Sequence, residues 1–234
     1  MLIGSRSGFA VKPKQKWQNP YITDGLVAMW DGQWNAGPGR HDGNSTKWIN
    51  LVTNEATAIT GVSFQDMYLD IPRYASVILS NDILLQSNAT IEILTKCYNV
   101  SRIVNILNTS SSVRHLRTRE SSGTTNSRLI INMPFTASGK NSYYFGEPTY
   151  RNWTIGPYSF SLCGEYHNSG SDRGFYLNGT IPSFSNYASN SYSNDGTATL
   201  NGEQYVYCVR IYSRTLSQIE VSTNYAVDKA RFNL

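Results

Sequence analysis

The chain is predicted to fold as an all-β sandwich of two antiparallel sheets, closed by one short C-terminal helix. Three observations predict this. Strand candidates recur every eight to fifteen residues between turn-forming clusters. Only 15% of the 234 residues are charged, while Ser, Asn, Thr, Gly and Tyr abound, a balance that suits short strands joined by polar turns rather than a helical bundle. One helix signal, near the C-terminus, carries a full set of start features. With 40% apolar residues the chain can build a sizeable core, and neither a linker nor an internal repeat divides it.

Residues 1–20 read as a basic arm. Arg6, Lys12, Lys14 and Lys16 precede the first acid, Asp24, so this segment carries the whole formal charge of +4 and the remainder is neutral. Such an arm is either a solvated terminus or a segment that docks on an acidic partner surface. A nucleic-acid-binding domain would cluster its charge on the folded face instead. The folded domain is placed at residues 21–234.

Strands are expected at 25–30, 75–80, 90–97, 102–107, 113–118, 173–181 and 204–212. Period-two alternation puts Phe64, Asp66, Tyr68 and Asp70 on one face of a further strand, with Gln65, Met67, Leu69 and Ile71 on the other. It likewise groups Leu129, Ile131 and Met133, and Tyr158, Phe160 and Leu162. The 204–212 strand is long, aromatic or β-branched and free of proline, so it belongs at the centre of a sheet. After it, Ser217 and Glu220 have the spacing of a capping box, and Leu216 and Val221 that of a hydrophobic staple. Ile219, Val221, Tyr225, Ala226 and Phe232 give the helix one broad apolar side.

Four segments carry a family resemblance. Gly25-Leu26-Val27-Ala28-Met29-Trp30-Asp31-Gly32 with Thr46-Lys47-Trp48-Ile49-Asn50-Leu51, then Ala89-Thr90-Ile91-Glu92-Ile93, then Gly174-Phe175-Tyr176-Leu177-Asn178-Gly179, and finally the run from Arg210-Ile211-Tyr212 into the capped helix occur in family order. Together they resemble laminin-G-like, concanavalin A-like lectin/glucanase jelly-roll domains, in particular their bacterial and phage branch. The resemblance implies a two-sheet jelly roll, and it implies a binding scaffold rather than an enzyme.

The residues themselves point away from catalysis. The glucanases of this architecture present a Glu-x-Asp-x-x-Glu run, which does not occur here. Of the sixteen acids only Asp66 and Asp70 lie within four residues of each other. On a straight strand they would stand about 13 Å apart, too far for either glycosidase geometry. His41, His115 and His167 are isolated, and no nucleophile elbow, zinc, Walker or dinucleotide motif occurs. Asp31, Asp42, Asn44 and the Asp195-Gly196 turn offer oxygens to calcium, but in no EF-hand register, so no metal or other cofactor is expected. Cys97, Cys163 and Cys208 read as buried structural thiols. The six Asn-x-Ser/Thr triplets read as by-products of composition.

Three Tyr-, Asn- and Gly-rich segments stand out as loops, at residues 31–47, 138–153 and 182–197. Tyrosine supplies rigid amphipathic contact area, and Ser and Asn supply adaptable hydrogen bonding. Ligand contacts are therefore expected from Trp34, His41 and Asp42 in the first loop and from Tyr187 and Tyr192 in the third. No signal-peptide-like stretch follows Met1, and no segment reaches the length of a membrane span. The expected function is a non-catalytic structural or display protein of a bacteriophage virion: a capsid-decoration, head-fibre or tail-associated subunit with a glycan-reading knob on the virion surface. Its partners would be other virion proteins through the arm, a cell-surface or mucosal glycan, and further copies of itself, with no nucleic acid and no membrane insertion. The alternative is a carbohydrate-binding lectin module from a bacterial surface or secreted protein, with a glycoside hydrolase ranked third.

Overall fold

The computed structural model describes residues 18–80, 89–97, 105–108, 114–120, 127–132, 142–145, 157–163, 175–181, 186–188 and 198–234. In chain order the strands are β1 (Leu26–Asp31), β2 (Lys47–Ile49), β3 (Ala56–Ala58), β4 (Ser63–Phe64), β5 (Leu69–Ile71), β6 (Ser76–Ser80), β7 (Thr90–Cys97) and β8 (Asn105–Asn108). They continue with β9 (Arg114–Glu120), β10 (Ser127–Asn132), β11 (Ser142–Phe145), β12 (Tyr158–Cys163), β13 (Phe175–Leu177), β14 (Asn186–Ala188), β15 (Ala198–Asn201) and β16 (Gln204–Tyr212), before the helix α1 (Gln218–Phe232). The fold is a two-sheet antiparallel jelly roll. One sheet runs β13-β12-β7-β16-β5-β4, the other β14-β11-β10-β9-β8-β15-β6, and β2-β3 form a small ribbon.

Strand β16 is central. It pairs with β7 along its whole length, and on its other flank with β5 and then β1, end to end. A register shift between Val206 and Cys208 marks a bulge. Val206 and Val209 both enter the main core with Ile91, Ile93, Leu69 and Phe160, and the second sheet contributes Val77, Leu79 and Leu200 to it. Tyr207 and Cys208, between the two valines, consequently both lie on the outer face, which is what a one-residue bulge does to strict alternation. Trp48 on the ribbon is fully buried edge-on to Phe64, and Trp30 donates its indole N–H to Thr57.

Several expectations are corrected. Residues 64–71 are not one strand but the β4-β5 hairpin, closed by the Gln65 N–H donating to the Tyr68 carbonyl at 2.8 Å. Phe64 therefore joins Leu69 and Ile71 in the core rather than sharing a face with Asp66 and Asp70. The straight-strand separation of those two acids no longer applies. Residues 142–145 and 186–188, expected in loops, are strands β11 and β14 and pair with each other, Tyr143 opposite Tyr187. Between β13 and Thr180, Asn178 and Gly179 both take positive φ, the backbone of a tight hairpin turn.

The capping box and staple form as expected. Ser217 accepts from the Glu220 N–H, Glu220 accepts from the Ser217 N–H, and Leu216 and Val221 share one cluster. The apolar side of α1 does not. Ile219 is 79% exposed, and the buried positions are Val221, Asn224, Asp228 and Phe232. Two polar residues face inward because the sheet beneath them carries charge.

Candidate functional site

The outer face of the first sheet under α1 is a buried polar layer. Arg210 on β16 and Glu92 on β7 are direct cross-strand partners, both fully buried, with the guanidinium Nε donating to Glu92 Oε2 at 2.8 Å. Arg210 also donates twice to Asp228 of the helix. Ser161 and Asn224 donate to Glu92, and Asn224 donates to the Tyr212 hydroxyl. Tyr21 closes the layer from the N-terminal side: its hydroxyl donates to Asp228 and its ring lies 4.1 Å from the Arg210 guanidinium carbon. Burial pushes the Glu92 carboxyl up, while Arg210 pulls it down. Burial also drives the Cys208 thiol well above its ordinary value, and pushes the Cys97 and Cys163 thiols up to about 12. These are inert packing thiols, and all three are free.

This layer extends into the loop that follows β1. Asp31, fully buried, accepts from the backbone N–H groups of Gln33 and Trp34 at 3.0 Å each and pairs with Arg231 of α1 at 2.7 Å. Burial raises its carboxyl, and the Arg231 bonds oppose that. The Arg231 guanidinium in turn stacks on the Trp34 ring, 3.5 Å from its centroid. Trp34, expected to meet a ligand, therefore has one face taken by the protein itself.

Asn35 does the rest. It is fully buried, its amide donates to the Asp42 carbonyl at 2.7 Å, and its Oδ1 accepts from the Asp42 N–H at 2.8 Å. Residues 36–41 are thereby closed into a ring, reinforced by backbone bonds between Ala36, Gly37 and Arg40. Asp42 Oδ1 accepts from the Asn44 N–H. Arg40, His41, Asp42 and Asn44 are left exposed on a braced loop.

The structure brings Trp34, His41 and Asp42 together on this loop, but not Tyr187. That residue lies on β14, the far edge strand of the second sheet, whereas the ribbon after the loop adjoins β6 at the opposite edge through the Thr57 hydroxyl bond to the Leu79 carbonyl. Six strand-to-strand steps separate β6 from β14, about 29 Å along the sheet. Tyr192 lies outside the described residues. Among the described residues no group of three or more His, Cys, Asp or Glu side chains converges as a metal site would require. The sequence reading missed Asn35 and Arg231, whose partners lie seven and about two hundred residues away.

No protein-family model and no curated protein sequence matches the chain. Solved structures do. The chain is similar to the binding domain of botulinum neurotoxin serotype D, at 13% identity and a TM-score of 0.57, over 89% of this chain and 53% of that one. It is similar to the receptor binding domain of botulinum neurotoxin type G, at 11% identity and 0.56, over 88% and 52%. It is also similar to Trypanosoma rangeli sialidase in complex with sialic acid, at 13% identity and 0.50, over 88% and 33%. The likeness is one of fold. The chain spans about half the length of the toxin domains and a third of the sialidase.

Proposed function

We propose that the chain is a non-catalytic recognition domain that reads carbohydrate and is carried on a larger assembly, a bacteriophage virion. The observation that carries recognition is the braced loop: Asp31 and Asn35, neither exposed to solvent, fix the backbone beneath Arg40, His41, Asp42 and Asn44. A preformed loop loses little conformational freedom on binding, and its side chains offer donors and acceptors to sugar hydroxyls. Tyr187 and Tyr192 would belong to a second contact region. The likeness to toxin receptor-binding domains supports recognition over turnover. So does the pairing of the buried acids Asp31, Glu92 and Asp228 with guanidinium groups that lock the fold.

The basic segment at 1–20 would anchor the knob to other virion proteins and place it at the virion surface. The laminin-G-like resemblance of the phage branch supports the same reading; the alternative is a lectin module of a bacterial surface protein. The test is a glycan array with the intact protein, a sugar-release assay on every hit, and a search for the chain in purified phage particles by mass spectrometry. Binding without release, and presence on particles, are expected. Release of sugar would make it an enzyme, and failure to bind any glycan would leave a purely structural role.

A further inference from the structure

Helix α1 covers only part of the outer face of the first sheet. It runs out at Phe232, which meets the Tyr207 ring edge-on at 5.4 Å between centroids. Beyond that point the face is floored by aromatic rings. Tyr68 lies 4.5 Å from Tyr205 and 5.3 Å from Tyr207, centroid to centroid. All three are half-buried, so their rings form a surface rather than a core. Tyr205 and Tyr207, two residues apart on β16, share this side by ordinary strand alternation.

Two features show that this face is built. A Cβ on Gly32 would stand 2.5 Å from the Tyr68 Cα and 2.8 Å from the Met67 carbonyl oxygen, so the hairpin carrying Tyr68 is seated directly on the end of β1. Polar groups also flank the rings in register. Tyr205 is the cross-strand partner of Asp70 on one side and of Lys96 on the other, both half-buried on the outer face. Asp70 Oδ1 is shut off from bulk solvent and has no hydrogen-bond donor, and burial raises that carboxyl. The Asp66 and Asp70 carboxylates both lie close enough to help raise the Tyr68 phenol, after burial.

We propose that this face is a binding site for a neutral saccharide, which packs the C–H side of one ring against the exposed part of the stacked Tyr68 and Tyr205 phenols while Asp70 accepts a hydroxyl at the rim. Flat half-exposed phenols suit the apolar side of a sugar ring, as their hydroxyls suit its edge. Asp70 is half-buried at the rim, so the part of its carboxylate that reaches the surface can accept a sugar hydroxyl there. The carboxylates of Asp66 and Asp70 disfavour sialylated or uronic sugars, so the class is neutral hexose or N-acetylhexosamine.

This inference rests on the carbohydrate reading above, and the test separates the two. The full chain would carry 3-fluorotyrosine, with resonances assigned through Tyr68→Phe, Tyr205→Phe and Tyr207→Phe. It would be titrated with neutral gluco-, manno-, galacto- and N-acetylglucosamine oligomers and with sialyllactose. A neutral oligomer should saturably shift Tyr68 and Tyr205, sialyllactose should not, and Tyr68→Ala and Asp70→Asn should each weaken binding at least tenfold with the fold retained by circular dichroism. Glycan binding that leaves these resonances still would overturn the site but not the carbohydrate reading. No glycan binding would overturn both. Resonances that respond only to deletion of residues 1–17 would assign the face to the chain's own N-terminal segment and overturn the proposal.

Discussion

Arg210 and Asp228 meet through two parallel hydrogen bonds, Nη1 to Oδ1 and Nη2 to Oδ2, each 2.8 Å long, with neither side chain reaching solvent. This fork joins the central strand to the helix, and the helix supplies Arg231 to the loop after β1. Docking of α1 and shaping of the candidate binding loop are therefore one structural event. An aliphatic interface would hold the helix as well but would not fix its rotation, whereas a bidentate pair accepts one geometry.

Asp228→Ala should then be strongly destabilising. It leaves a buried guanidinium with Glu92 as its one remaining carboxylate and removes the acceptor of the Tyr21 hydroxyl. Loss of one partner from a buried pair costs about 3–5 kcal/mol. Asp228→Asn, which keeps an acceptor, should lose less. Urea denaturation of both variants checks the order, and equal losses would mean that shape rather than charge holds the helix.

Ser217→Ala should cost about 1 kcal/mol, the usual contribution of an N-cap side chain. The Ser217 hydroxyl satisfies the Glu220 N–H, which has no partner within the helix. An unchanged denaturation midpoint would show that the staple of Leu216 and Val221 suffices.

Glu220 gives the clearest pH signature. Hydrogen bonds from Arg214, then from the Ser217 N–H and hydroxyl, hold its carboxyl down at about 2 despite some burial. In the unfolded chain it titrates near 4.3. A depressed folded-state value means that the contribution is full above about pH 5 and is lost as pH falls towards 2. The stability difference between the protein and Glu220→Gln should thus shrink over that window. A difference that stays constant would place the effect in packing rather than in charge.

What was legible in the sequence was local. Ser217 and Glu220 are three residues apart, Asn178 and Gly179 are adjacent, and β7 and β16 announce themselves by composition, so all were readable. The buried side of α1 was not. Asn224 and Asp228 are core residues because Glu92, Arg210 and Tyr212, up to 132 positions away, are there to receive them. Residues 64–71 alternate as well in a hairpin as in one strand, and the turn lacks the glycine or proline that would have marked it. Tyr143 and Tyr187 sit among Ser and Asn, so each segment reads as a loop until the other supplies a strand to pair with. The loop holding Trp34, His41 and Asp42 was visible as a loop, but the Asn35 brace that orders it was not.

Trp34→Ala separates structure from recognition at that loop. The indole lies on the Arg231 guanidinium at 3.5 Å, and Arg231 is itself bonded to Asp31, Gln33 and Tyr21. Removing the ring should cost about 1–2 kcal/mol, the range of a largely desolvated cation–π contact. Arg231→Lys should cost a similar amount, because an ammonium keeps the charge but loses both the planar stack and the fork to Asp31. If Trp34 serves only to hold the loop, the two variants should weaken glycan binding equally, each through the loop. A loss of affinity in Trp34→Ala well beyond that in Arg231→Lys, measured where both are folded, would assign the indole to the ligand.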